Sequence, residues 1–446
     1  MKILLSCLWP TLFLVSCVTS QVAEIGDVEK ERGNTAISQS LPSVTPVLDG
    51  VRADMTALAN ATTTPKVYDA VKRDNGITEL YLEGQHYQGK PTRIFALYSA
   101  PQTPYVTKSG EIPAVVLVHG GGGSAFEQWV TKWNDAGFAA ISIAVEGQTD
   151  QKDANNKWQK HAFSGPARAA IYGDADKPIS EQWMYHAVSA TITARKFLAS
   201  QPNISKSDIG LSGISWGGVI TSTVIGFDPS FKFAIPVYGN GFLDQMDNQY
   251  GRSLAENLSY KNVWEPGLNI EQYKNPSLWL TWRNDVHFAL DAQAKTYGLL
   301  SNNVANSIKL GIRHGHIAGW KQPESYFFAH QVINNNASWV ESRDLILTED
   351  NTASATFQIK LSPQMYTVQS AKVNFTAGQG HTGPASWQEM SASWRVKSNG
   401  TITVEFENMP KDVTHWFINI EVDIKSDSQK IDEALTVSSA VYSANT

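Results

Sequence analysis

Asp208 to Ile225 reads DIGLSGISWGGVITSTVI, a short apolar run that reads as a strand up to Ile214 and as a helix from Trp216 onward. At the junction, Gly213-Ile214-Ser215-Trp216-Gly217 matches the pattern G-x-S-x-G. A serine between strand and helix has to sit in a strained turn, and glycines are needed beside it because the crossing chains leave no room for side chains there. Ser215 is therefore read as the nucleophile.

Outward from that point the chain repeats the same alternation. Short runs of continuous rather than alternating apolarity occur at Ala114–Gly120, Phe138–Val145, Asp208–Ser215, Lys232–Gly239, Ser277–Trp282 and Ser307–His314. Strands of that kind are covered on both faces, as in a parallel sheet flanked by helices. Helical patterns fill the intervals at Phe126–Ala136, Glu181–Ser200, Trp216–Ile225, Phe288–Leu300 and Glu324–Ile333, so the succession predicts a doubly wound α/β fold. Two extended segments within Ile77–Ala100, joined by a Gly-containing turn, form an antiparallel lead-in. Beyond Trp339 the runs TFQIKL, AKVNFTA, SASWRVK, TITVEFE and HWFINIEVDI are separated by turn residues, which predicts a small C-terminal antiparallel β domain. The expected organisation is a targeting segment over 1–16, a tether over 17–46, a catalytic domain over 47–338 and a β-rich domain over 339–446.

The composition narrows the function. The 446 residues are 42% hydrophobic, enough for a large core. Lys and Arg number 36 against 42 Asp and Glu, and with no basic stripe in view nucleic acid is not expected as a partner. Met1-Lys2 followed by a mostly apolar stretch from Ile3 to Val15 has the form of an export signal too short for a secure membrane span. Its end, Leu14-Val15-Ser16-Cys17, resembles the bacterial lipobox, and the resemblance implies lipidation of Cys17 and attachment to a membrane surface at the cell envelope; a plain secretory signal leading to a periplasmic or secreted protein is the alternative. The only other cysteine, Cys7, lies in the same segment, so neither a disulfide nor a cysteine metal site is expected downstream.

A serine hydroxyl needs a base to take its proton and donors aimed at the oxyanion that develops on attack. His119-Gly120-Gly121-Gly122-Gly123 follows a predicted strand, and backbone N–H groups of Gly121, Gly122 and Trp216 are the expected donors. In the chain order serine, acid, histidine, the acid follows a late strand and the histidine the last one. Asp285 follows SLWLTW and is preferred to Asp244 and Asp247, which follow an earlier strand. Arg313-His314-Gly315-His316 offers two histidines. His316 is favoured as the base because it lies in a loop-like position, whereas His314 reads as a strand end or pocket residue. His119, Trp158, Trp282, His287, His314 and Trp320 are candidate substrate contacts, and the irregular stretch Glu146–Glu181 is expected to shape the pocket. The histidines show no metal-ligand spacing, and neither a metal nor a cofactor is expected.

With these residues placed, the chain resembles the exported α/β-hydrolases grouped around acetyl xylan esterases, dienelactone-hydrolase-like proteins and the prolyl oligopeptidase catalytic domain. The likeness runs from about Lys66 to Asn335 and rests on HGGGGSAFEQWV, GISWGG with FDPSFKFAIPVYG behind it, WRNDVHFAL and HGHIAGW. It implies an oxyanion loop at His119–Gly123, a nucleophile at Ser215, an acid at Asp285 and a base at His316, acting on an acylated small-molecule or polysaccharide substrate. The chain departs from prolyl oligopeptidases in having no room for their N-terminal β-propeller, which favours an esterase of acetyl xylan esterase type over a serine peptidase or amidase. A glycan-binding protein without chemistry is the third reading.

Overall fold

The apolar run at 204–214 and the helix that follows it are the middle of a sheet, and the rest of the chain is arranged around them. In the computed structural model residues 46–301, 303–378, 380–425 and 433–444 are described. The expected targeting segment, Cys17 and all of the tether but Pro46 lie outside the described residues.

The chain enters with α1 (Pro46–Asn60), which buries Leu48, Val51 and Met55 at helical spacing. Three antiparallel strands follow, β1 (Val67–Lys72), β2 (Thr78–Glu83) and β3 (Arg93–Ser99), the last two being the expected lead-in pair. Next come β4 (Ile112–Val118), α2 (Glu127–Asp135), β5 (Ala139–Ile143), a small ribbon of β6 (Gln148–Lys152) with β7 (Trp158–Lys160), and α3 (Trp183–Ser200). The central elements are β8 (Ile204–Ile214), α4 (Trp216–Phe227) and β9 (Ala234–Val237). Then follow α5 (Gln249–Leu254), β10 (Ser277–Trp282), α6 (Leu290–Gly298), β11 (Val304–Lys309), α7 (His316–Trp320) and α8 (Pro323–Asn335).

These strands lie in the order β1-β2-β3-β5-β4-β8-β9-β10-β11 and are parallel from β5 onward. Continuous apolarity has the predicted cause: Ala114 to Val118 and Ala139 to Ile141 are wholly buried, with α2, α3, α4 and α8 packed against the parallel strands. β4 lies between β5 and β8, so the connections leaving β4 and β8 diverge. A crevice opens at such a switch, outside the C-terminal ends of the strands.

The C-terminal part is antiparallel, as expected, and divides its strands between two sheets. It comprises β12 (Val340–Leu347), β13 (Ala353–Ile359), β14 (Tyr366–Thr376), β15 (Gln388–Ser391), β16 (Ser393–Val396), β17 (Thr401–Phe406), β18 (His415–Ile424), β19 (Leu435–Ser438) and β20 (Tyr442–Ser443). Four of them form a separate antiparallel sheet, β12-β13-β17-β16, in which β13 buries every second residue. The others extend the main sheet: β19 pairs antiparallel with β11 through Asn306 and Ser438, and β18, β14 and β15 follow, giving fourteen strands among the described residues with β20 on β18. At the seam the Ile308 N–H donates to Ser438 Oγ at 2.7 Å and the Asn419 amide donates to the Ile308 carbonyl at 3.0 Å. HWFINIEVDI was readable as such a strand, since its first six residues are all buried, as in the interior of a large sheet.

Burial also governs the histidines. His119 and His330 are both pushed down to about 4 by loss of solvent, His330 being packed against Tyr105 and Phe138. The folded chain keeps these rings neutral, while the unfolded chain protonates them near the ordinary value of 6.5. Their contribution to stability is therefore complete above about pH 6.5 and is lost as the pH falls toward 4. Thermal denaturation should show the melting temperature dropping over that interval, and His330→Gln should flatten the slope; an unchanged slope would contradict the assignment of a neutral buried His330.

Candidate active site

Ser215 sits between the last residue of β8 and the first of α4 with φ 60° and ψ −120°, a conformation that costs a non-glycine residue about 1–3 kcal/mol. Its neighbours hold it there. The Ser215 N–H donates to the Val237 carbonyl at 2.8 Å, and its own carbonyl accepts from Val219 at 3.0 Å. A Cβ on Gly213 would lie 2.0 Å from the Gly217 carbonyl oxygen, and one on Gly217 would lie 2.0 Å from that of Val118. Both glycines of the motif are thus required by contact with backbone.

From this turn the hydroxyl donates to His314 Nε2 at 2.8 Å, and His314 Nδ1 donates to Asp285 Oδ2 at 2.6 Å. Asp285, 1% exposed on the loop after β10, is held as a carboxylate acceptor by the N–H groups of His287 at 2.8 Å and Phe288 at 3.0 Å on its other oxygen. The His314 ring is packed between Tyr238, at 4.9 Å, and Phe288, at 5.9 Å between centroids.

The histidine that meets Ser215 is therefore His314, and the expectation of His316 in that place is corrected. The physical reason is the length of the strand. The apolar run to His314 suggested a strand end there, yet β11 stops at Lys309 and His314 lies in the loop, while His316 is the first residue of α7. His316 instead accepts from the Gly120 N–H at 2.9 Å through Nε2 and packs on Phe126 at 4.8 Å. Loss of solvent, with the His119 ring nearby, holds it down at about 4, so it is a neutral brace beneath the glycine loop.

That loop touches the serine closely. A Cβ on Gly120 would stand 2.7 Å from Ser215 Cβ, and one on Gly121 would stand 3.0 Å from the Trp216 ring. Gly122, at φ 72°, has open space in the same position and gives its carbonyl to the Trp158 indole N–H at 2.8 Å. Of the two glycines expected as donors, Gly121 is the one brought beside Trp216. His119, expected to touch substrate, is 1% exposed; it binds the Gly120 carbonyl at 2.7 Å and accepts from the Val145 N–H at 3.1 Å, so it shapes the loop from below.

A cleft of about 660 Å³ opens on the His314 side of the serine, lined among others by Phe126, Trp158, Arg313, His314, His316 and Trp320. Trp158 and Trp320 reach it, Trp320 from a largely buried position against Trp129. Trp282 and His287 are not among its lining residues; the Trp282 carbonyl accepts from the Asp285 N–H at 3.1 Å, and the His287 ring stands 5.0 Å from that of His314. Beside Trp216 the irregular stretch supplies a charge that sequence reasoning had not singled out. The Arg168 guanidinium lies 4.8 Å over the Trp216 ring and would stand 2.9 Å from a Cβ on Gly121. It is fixed by Glu146 at 3.3 Å and by the Ala170 carbonyl at 2.5 Å, in a turn where Ala170 and Tyr172 both take positive φ. A lone arginine in a long loop carries no motif, so only the fold reveals its place.

Among the described residues no group of three or more His, Cys, Asp or Glu side chains is placed to hold a metal. The arrangement has what acyl transfer requires: an oriented hydroxyl, a base with its own carboxylate, and N–H groups at a helix start.

Comparison with known proteins agrees with this geometry at the level of family and fold. Residues 102–322 match the profile of the dienelactone hydrolase family. Among solved structures, an acetyl xylan esterase from Paenibacillus sp. R4 is similar with a TM-score of 0.50 at 18% identity, over 65% of this chain and 95% of that one. Acetyl xylan esterase 1 from Thermoanaerobacterium sp. JW/SL YS485 is similar with a TM-score of 0.49 at 16% identity, over 65% of this chain and 93% of its own. No curated protein sequence matches. The match and the sheet order together identify residues 102–322 as a dienelactone hydrolase family domain, a hydrolase built on the α/β-hydrolase fold.

Proposed function

We propose that the protein is a serine esterase that removes an acyl group, acetyl in the leading reading, from a carbohydrate. The observation that carries the reading is the hydrogen-bonded line from Ser215 through His314 to Asp285, starting in the strained turn beside Gly121 and Trp216. In this mechanism Ser215 Oγ attacks the ester carbonyl and its proton passes to His314 Nε2. The N–H groups of Gly121 and Trp216 receive the oxyanion, with the Arg168 charge close by. Collapse of the tetrahedral intermediate breaks the bond to the leaving alcohol, which takes the proton from His314, and water then hydrolyses the acyl-enzyme with His314 as base.

Because His314 protonates the leaving alcohol, that group must lie on the His314 side, where the cleft presents Phe126, Trp158 and Trp320. Flat aromatic rings suit the faces of sugars, which supports a carbohydrate leaving group. Export and anchoring of this enzyme through a lipidated Cys17 complete the proposal, on the sequence of the leader alone.

Ser215→Ala should lower turnover of nitrophenyl acetate by roughly five to six orders of magnitude with the fold intact. His314→Ala should match it, whereas His316→Ala, which removes only a brace of the glycine loop, should cost about tenfold. The reverse ranking of the histidines would overturn the assigned base. Trp158→Ala should raise KM for an acetylated xylo-oligosaccharide, read as released acetate, and leave nitrophenyl acetate nearly unaffected; efficient cleavage of a peptide anilide in place of the acetylated sugar would instead assign a peptidase. In a bacterial host, Cys17→Ser should abolish acyl labelling and release the protein from the membrane fraction, while an unacylated wild-type chain with another N-terminus would refute the anchor.

A further inference from the structure

The loop that carries Asp285 is held partly by the Asn248 amide, which donates to the Val286 carbonyl at 3.1 Å and to that of His287 at 3.2 Å, and partly by residues from the far C-terminal part. We propose that residues 380–387, on the connection between β14 and β15, are a positioning clamp for the carboxylate of Asp285; the proposal rests on the reading of Asp285 as the acid of the triad. Each side of the aspartate is held. Arg283 Nη1 donates to Asn374 Oδ1, on β14, at 2.7 Å. The Asn284 amide donates to the Gly383 carbonyl at 3.1 Å and to that of Ala385 at 3.2 Å. His381 Nε2 donates to the Val286 carbonyl at 2.8 Å, and its Nδ1 accepts from the Gly383 N–H at 2.9 Å, a single tautomer that serves both. At the end of the loop, α6 begins after Ala289, which offers no side-chain cap. The missing acceptor comes from Thr382, 1% exposed, whose Oγ1 receives the Leu290 N–H at 3.0 Å.

Gly383 marks where the two segments meet backbone to backbone. A Cβ there would stand 2.4 Å from the Asp285 carbonyl oxygen and 2.7 Å from Val286 Cα, with no flexible side chain able to give way. These residues leave the sheet to reach the loop. The contacts they make fall on Asn284, Asp285, Val286 and Leu290, the residues whose backbone decides whether Oδ2 stays 2.6 Å from His314 Nδ1. The C-terminal strands thus complete the active site without touching substrate.

The test compares Gly383→Ala, Thr382→Val and Thr382→Ser in the full-length protein, with Trp394→Ala on the separate four-stranded sheet as the control. For Gly383→Ala, kcat on nitrophenyl acetate should fall about 10- to 100-fold, with KM within about threefold. Thr382→Val should lower kcat in the same sense with KM little changed, and Thr382→Ser should restore it; this pair carries the test if Gly383→Ala does not fold. Trp394→Ala should change nothing. A lowered melting temperature with unchanged kcat in the Gly383 and Thr382 variants would show a merely structural contact and overturn the clamp. Asp285→Asn separates the two failures: full activity in that variant refutes the triad reading itself, while its loss alongside fully active Gly383→Ala refutes only the clamp.

Discussion

Everything near the site depends on how closely α4 crosses the ends of β4 and β8. That approach is possible only because Gly213 and Gly217 lack side chains: each would otherwise place a carbon 2.0 Å from a carbonyl oxygen. With the helix seated there, Ser215 is left in a conformation it would not choose, and the strain is offset by the packing of a helix that is buried along its whole length. The same contact brings the start of α4 beside the glycine loop after β4. The strained serine, the glycine loop beside it and the helix end are thus consequences of one steric condition.

The glycine loop needs its own support, since a run of four glycines has little conformational preference. Two histidines provide it from below, His119 through the Gly120 carbonyl and His316 through the Gly120 N–H. Burial pushes both down to about 4, which lets His119 accept from Val145 and His316 accept from Gly120 as neutral rings. Three histidines lie within a small space, and only the one with a carboxylate partner is positioned to carry a proton.

The strongly patterned parts of this arrangement were legible in the sequence. G-x-S-x-G at a strand-to-helix junction, the glycine run after β4 and the aspartate after SLWLTW all fell where the fold brings them together, because each is dictated by local backbone geometry. The choice between His314 and His316 failed because it turned on where a strand stops, and apolarity continues through Leu310 and Ile312 after the pairing of β11 has ended at Lys309. Arg168 and the contacts of residues 380–387 were beyond reach for another reason. They depend on which distant segments meet, and nothing in the residues themselves records that Thr382 caps a helix ninety-two positions earlier. The alternating texture beyond Trp339 was read correctly as antiparallel strands, yet alternation does not say which sheet a strand joins.

That last point bears on which strand forms the margin of the sheet. A parallel sheet that ended at β11 would leave the backbone groups of Val304–Lys309 on one side free to pair with any other extended chain, and Ala305 to Ile308, now buried, would lose that cover. The antiparallel strand β19 occupies that edge, and the sheet now ends instead at β15, four exposed residues of which Glu389 is paired with Lys372. A short, charged, solvent-facing margin is a poor template for self-association. The added strands therefore replace a sticky border with an inert one, and a chain cut after α8 would be expected to clump even where its remaining hydrophobic core is intact.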